Sequence, residues 1–249
     1  MTRRGLLAAV PAAVPLLLTP LSSSAENAEV DARLYEAGVR GSGRGANAMR
    51  KTFASTGIVR TGSVADPLFA AGQILDELRA ADGSAVQVSF AFPDAWALAK
   101  GPNLDVRSVK NADSAFVLSA PLPEGERDAG TLPVSFFTEL LFAKDGKYGS
   151  YGGVDDVRVV SQSIDSLSTP TGGMQTYRRL ELKFSVLTYN QNTVVRRALL
   201  SATATGGSVY VISAGCLDSR FKQIKDDLAT CQGSFRALGR TRKLPAAAM

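Results

Sequence analysis

The chain has no histidine among its 249 residues, and that absence excludes more than any motif present. It removes the Ser-His-Asp and Cys-His nucleophile systems, the histidine-bearing zinc sites and the commonest general base. An enzyme built from this chain would have to rely on carboxylate, lysine or tyrosine chemistry. The usual signatures are missing as well: there is no G-x-S-x-G elbow, no G-x-x-x-x-G-K-[ST] loop and no C-x-x-C pair. Gly41-Ser42-Gly43-Arg44-Gly45 follows no strand pattern and has the wrong spacing for a dinucleotide loop, so it reads as a flexible link. Tryptophan occurs once, at Trp96, where packing against a sheet edge is expected. Cysteine occurs twice. Cys216 ends a strand-like run and Cys231 lies inside the helical pattern that follows, roughly 18 Å along its axis at about 1.5 Å per residue. A disulfide tolerates Cα separations up to about 7 Å, so two buried free thiols are expected.

Apolar residues make up 45% and charged residues 20%, which fits one globular unit with an extension. The 28 basic residues exceed the 23 acidic ones only mildly; a net charge of +5 suits acidic protein surfaces or anionic headgroups and does not by itself indicate nucleic acid.

Residues 1–25 read as a targeting segment. Arg3-Arg4 precedes an apolar stretch broken by Pro11, Pro15 and Pro20, and Ser23-Ser24-Ala25 supplies small residues for cleavage. A twin-arginine leader of this kind implies export, into a bacterial periplasm or a thylakoid lumen. No other stretch is long and apolar enough to span a bilayer.

Residues 26–83 read as an extension with short helices at 30–39 and 47–54 and a better one from Asp66, capped by Asp66-Pro67, with Leu68, Ile74, Leu75 and Leu78 near helical spacing until Asp82-Gly83. Deleting residues 26–64 is expected to leave the fold intact. After Gly83 the period changes to two. Val86, Val88, Phe90 and Phe92 alternate, and further strands are expected at 104–109, 114–119, 157–161, 177–187, 193–205 and 208–215, with a short helix at 133–142. Gly206-Gly207 signals a two-residue hairpin, since both turn positions need positive φ. Phe221, Ile224, Leu228, Cys231, Phe235 and Leu238 recur every three or four residues and predict an amphipathic helix lying on that sheet. The fold expected over residues 84–240 is α+β, an antiparallel sheet sandwiched between helices, and residues 241–249 form a basic tail.

Candidate sites are few. Arg178-Arg179 and Arg196-Arg197 fall in neighbouring strands and offer either a basic docking patch or margin residues that pair with Glu181. Arg40, Arg44, Arg50, Lys51 and Arg60 lie in a stretch without any acid and suit ordering against an acidic surface, or a solvated tether. Asp155-Asp156 is the one pair through which calcium stays open; adjacent acids project apart and the ion wants six or more oxygens, so a solvated loop competes with that reading. No other cofactor is implied.

Two sets of stretches resemble a known family. Phe90-Ala91-Phe92-Pro93-Asp94-Ala95-Trp96, then Asn103-Leu104-Asp105-Val106-Arg107 and Ser114-Ala115-Phe116-Val117, look like the opening of a PsbP domain. The hairpin through Gly206-Gly207, Val209-Tyr210-Val211-Ile212-Ser213-Ala214, Ser219-Arg220-Phe221-Lys222 and Gly233-Ser234-Phe235 is similar to its closing half. The resemblance covers residues 86–238 and implies an extrinsic, non-enzymatic protein of the thylakoid lumen. It also implies photosystem subunits as partners, at photosystem II and its oxygen-evolving complex or in photosystem assembly and repair. PsbP's histidine-linked metal sites have no counterpart here. The alternative is a periplasmic or lumenal small-molecule-binding or carboxylate-based enzymatic domain. The leader makes one direct prediction: mass spectrometry of the native protein should find Glu26 at its N-terminus, and a retained Arg3-Arg4 would contradict the export reading.

Overall fold

The computed structural model describes residues 56–61, 72–99, 103–151, 153–187 and 192–243. Ten strands and two α-helices make up these residues, with short 3₁₀ turns at Gly149–Tyr151 and Asp218–Arg220. A three-stranded antiparallel sheet is formed by β1 (Gln73–Arg79), β2 (Ser84–Ala91) and β10 (Arg236–Lys243), in the order β1-β2-β10. The larger, seven-stranded sheet contains β3 (Trp96–Leu98), β4 (Asp105–Ser108), β5 (Ser114–Pro121), β6 (Val154–Ser168), β7 (Met174–Leu187), β8 (Thr193–Thr205) and β9 (Ser208–Leu217). Its order is β3-β4-β5-β9-β8-β7-β6. Helices α1 (Val134–Phe142) and α2 (Phe221–Ser234) lie on opposite faces of it.

Strand alternation distributes the core between those faces. Val209 and Val211 of β9 join Leu180, Leu182 and Phe184 of β7 in one cluster, closed by Phe137 and Leu141 of α1. Tyr210, Ile212 and Ala214 point the other way, into a cluster with Phe221, Leu228 and Cys231 of α2 and with Ile74, Leu78, Val86, Val88 and Phe90 of the small sheet. Burying each valine, leucine, isoleucine or phenylalanine among them is worth about 1.5–3 kcal/mol. The architecture is the expected α+β one, with a refinement: one face of the large sheet is covered by a helix, the other by a helix and a second sheet. Trp96 is buried in that second cluster, as the packing reading expects.

The turn Gly206–Gly207 has φ of 58° and 70°, the left-handed values a tight β8–β9 hairpin requires. It also locks the two sheets together, because the Asp82 N–H donates to the Gly206 carbonyl at 3.2 Å and the Ala81 N–H to Ser208 Oγ at 2.9 Å.

Three expectations need correction. Residues 73–79 are a strand, not the end of a helix begun at Asp66. Ile74, Asp76, Leu78 and Ala80 are buried in alternation, and Gly83 is the turn of the β1–β2 hairpin. The second helix stops at Ser234, so Leu238 lies in β10, and the tail expected from residue 241 begins inside that strand. Finally, residues 56–61 belong to the folded unit. The Arg79 N–H donates to the Val59 carbonyl at 2.8 Å, the Thr61 N–H to Glu77 at 3.2 Å and the Ser119 N–H to Thr56 at 2.8 Å. The leader and the helices expected at 30–39 and 47–54 lie outside the described residues.

Arg60 is therefore a framework residue: its guanidinium pairs with Asp76, whose side chain is only 3% exposed. Removing the partner of a buried charge leaves the desolvation cost uncompensated, about 1–3 kcal/mol or more. In urea denaturation Arg60→Ala should lose that amount. A chain truncated to begin at residue 65 should be less stable than one beginning at residue 55. Equal midpoints would show the segment to be a passive tether.

Candidate functional site

Adjacent residues on a strand point to opposite faces, and this decides the fate of the arginine doublets. Arg178 lies on the α1 face, where it donates to the Gly130 carbonyl at 2.8 Å and to Gln162 at 2.9 Å and sits 6.0 Å from the Phe137 ring centre. Arg196 shares that face, is 3% exposed and donates to the Ala112 carbonyl at 3.0 Å. Arg179 and Arg197 take the α2 face. Arg179 pairs with Asp165 at 2.9 Å; Arg197 pairs with Glu181 at 2.8 Å and Asp218 at 2.6 Å and stacks 4.7 Å over the Phe221 ring. Lys183 completes this network by reaching Asp218 at 2.9 Å. The four arginines thus divide between two faces and are engaged with partners of their own fold, the Glu181 pairing among them.

The network has an electrostatic signature. Asp218 is held below the usual carboxylate range by hydrogen bonds from Lys183 and Arg197, against the opposing effect of burial. Arg197 is raised, its two acid partners outweighing burial.

Asp155 and Asp156 open β6 on an exposed, bulged stretch; Asp156 has a φ of 53° and meets Arg158 at 4.0 Å with both side chains exposed. Among the described residues no group of three or more His, Cys, Asp or Glu side chains is placed to hold a metal ion. Arg40, Arg44, Arg50 and Lys51 lie outside the described residues.

The structure assembles one polar constellation that local spacing does not reveal. On the α1 face, buried Asp105 receives Arg107 at 2.6 Å and Lys147 at 3.5 Å, and the Lys147 ammonium also lies 5.5 Å from the Phe116 ring centre. Beside it Tyr148 Oη meets Ser213 Oγ at 3.2 Å, and Phe142 and Phe184 pack on the ring at 5.7 and 4.8 Å. Gly215 makes room for this: a Cβ there would stand 2.9 Å from the Tyr148 hydroxyl. Lysine, tyrosine and serine together are groups that can move protons, yet here burial pushes Tyr148 up and Lys147 is only 3% exposed. A closed cluster of this kind pins the loop after α1 to the sheet.

A cleft of about 480 Å³ opens between the β6–β7 turn and the small sheet, lined by Gln87, Thr171, Met174, Thr205, Leu238 and Arg240 among others. None of its lining residues is an acid. Arg240 is engaged with Gln87 at 2.9 Å and Glu77 at 3.5 Å.

No family model matches the chain, and neither does any curated protein. Among solved structures, the solution structure of cyanobacterial PsbP (CyanoP) from Synechocystis sp. PCC 6803 is similar with a TM-score of 0.43 and 18% identity, covering 68% of this chain and 94% of that one. The crystal structure of LpqN, involved in cell envelope biogenesis of Mycobacterium tuberculosis, is similar with a TM-score of 0.35 and 14% identity, covering 67% of this chain and 91% of that one. The likeness is one of fold.

Cys216 and Cys231 are free and buried, and burial pushes both thiols up to about 12. Thiolate is the reactive form, so both should be inert while the protein is folded. Iodoacetamide at pH 8 should label neither cysteine in the native protein and both in denaturant. Rapid native labelling would place at least one of them on an accessible surface.

Proposed function

We propose that the chain is an exported, extrinsic protein of the PsbP kind that acts by binding in the thylakoid lumen. It works at a photosystem, either photosystem II with its oxygen-evolving complex or the machinery that assembles and repairs photosystems. The observation that carries this reading is that the separate stretches resembling PsbP converge in space. Phe90, Phe92, Trp96, Leu104, Val106, Ala115 and Val117 from the first set meet Tyr210, Ile212, Ala214, Phe221 and Phe235 from the second in one buried cluster. The stretches scattered over the chain thus belong to one core, as the parts of a single domain of that kind would. The twin-arginine leader supports the compartment.

Binding in place of catalysis is supported by the state of the reactive groups. The thiols and Tyr148 are held in their neutral forms by burial, and the lysine beside Tyr148 is enclosed. A carboxylate-based enzyme gains no support from the cleft, whose lining contributes hydroxyl, amide, apolar and, at Arg240, guanidinium groups. Docking falls to Arg40, Arg44, Arg50 and Lys51, a basic run that suits an acidic lumenal surface, while Arg60 is committed to Asp76.

Fractionation of the source membranes tests the proposal. The protein should be recovered with thylakoids at low ionic strength, be released by salt because exposed charge pairs are screened, and co-migrate with a photosystem complex before release. Recovery in a soluble fraction at low salt, or with another envelope, would overturn it.

A further inference from the structure

Among the described residues strand β6 ends the seven-stranded sheet and pairs only with β7. Residues 155–164 are exposed without interruption, including Val157, Val159, Val160 and, at 56% exposure, Ile164. Among the described residues nothing lies along its outer edge, whereas β3 at the far end of the sheet is only three residues long. A long, exposed, β-branched edge strand is a template for another strand.

The sequence of β6 fits one partner in particular. Its register against β7 slips between Val159 and Ser161, so Val160 is an inserted residue. Because of that insertion Val159 and Ile164, five positions apart, lie on the same face, opposite Leu182 and Arg178 of β7. Arg158 and Asp165, seven apart, share the other face, opposite Lys183 and Tyr177. Gln162, opposite Leu180, sits midway between the members of each pair when positions are counted along β7. Ser161 and Ser163 flank it symmetrically, opposite Glu181 and Arg179. The strand is thus self-complementary about Gln162.

We propose that β6 is the interface of a two-fold dimer in which it pairs, antiparallel, with β6 of a second copy of this chain. A two-fold axis normal to the sheet preserves its faces, so each residue must meet one from its own face. With the axis at Gln162, that residue meets its own copy, Val159 meets Ile164, and Arg158 meets Asp165, each of the last two contacts occurring twice. Without the bulge Arg158 and Asp165 would fall on opposite faces and the charges could not match. The arginine is available, since its side chain is 76% exposed and its contact to Asp156 spans 4.0 Å in solvent. Asp165, 36% exposed and held by Arg179 at 2.9 Å, has a second carboxylate oxygen to offer.

Cross-linking and charge exchange test the register. Opposed Cα atoms in an antiparallel pair stand about 4.5–5.5 Å apart, within disulfide range. Gln162→Cys should therefore form a covalent dimer on mild oxidation, and Ser166→Cys, which would face the start of β6 in the other copy, should not. In sedimentation, Arg158→Asp and Asp165→Arg should each weaken the dimer by about tenfold or more, since each sets like charges together twice. An equimolar mixture of the two variants should recover it, because both cross-pairs then become opposite in charge. The proposal is overturned by a wild-type protein that stays monomeric to about 100 μM. It is equally overturned if Ser166→Cys cross-links as readily as Gln162→Cys, or if the mixture, with both variants melting like wild type, associates no better than either alone.

Discussion

The structure depends on the hairpin turn at Gly206–Gly207 and on the strand it launches. β9 is buried from Ser208 to Cys216, so each of its faces must be supplied with a cover, and the turn fixes where one cover sits. A Cβ on Gly206 would approach Ala80 Cβ to 2.6 Å and Ser84 Oγ to 2.7 Å, which shows how closely the small sheet rests on the tip of the hairpin. The backbone bond from Asp82 to Gly206 closes that contact. Once β1 and β2 are held there, Ile74, Leu78, Val86, Val88 and Phe90 roof one side of β9 together with α2, and α1 is left to cover the other.

Much of this was legible because β7, β8 and β9 carry a period-two pattern over long runs and α2 carries a clean helical stripe through Cys231. The misreadings have physical causes. In β1 the spacing between Ile74 and Leu78 suits a helix and a strand equally, since four residues is close to one helical turn and is also two pleats. The residue between them on the buried face is Asp76, whose charge hides the alternation, and its neutralising partner Arg60 comes from a segment sixteen residues upstream. Leucine, glutamate and arginine in this stretch favour a helix; pairing with β2 and Arg60 overrides that preference. At the other end of the chain Gly233-Ser234 terminates α2. The Ser234 hydroxyl accepts from the Ala91 N–H at 2.8 Å, tying the helix end to β2, and the next residues reverse into β10, where the apparent stripe runs on to Leu238 by coincidence of spacing.

The candidate sites were less legible, for two different reasons. The arginine doublets could have been resolved from strand geometry alone, because neighbours on a strand cannot share a face. Of the acids that receive them Glu181, on β7 itself, was legible, whereas Asp165 and Asp218 were not, since they are supplied by β6 and the turn before α2. The Asp105–Lys147 and Tyr148–Ser213 contacts join β4, β9 and the loop after α1; no local spacing announces such a meeting. The bulge in β6 is a third kind of case. One inserted residue changes the face of everything beyond it, so the match between Arg158 and Asp165 exists only in the folded register and is invisible in a count along the sequence.

The charge state of the molecule has a consequence for how it meets partners. With no histidine, the side chain whose ordinary pKa lies nearest neutrality is absent. The shifts that the fold does impose run away from neutrality: Asp218 is lowered by Lys183 and Arg197, and Cys216, Cys231, Tyr148, Tyr177 and Tyr210 are raised by burial. These groups keep one protonation state across the neutral range, so none of them is a switch there of the kind histidine supplies. Exposed pairs such as Arg158–Asp156 are instead open to screening, with a Debye length of about 8–10 Å at physiological salt. Ionic strength, more than pH near neutrality, is therefore the variable to which contacts made by this surface respond.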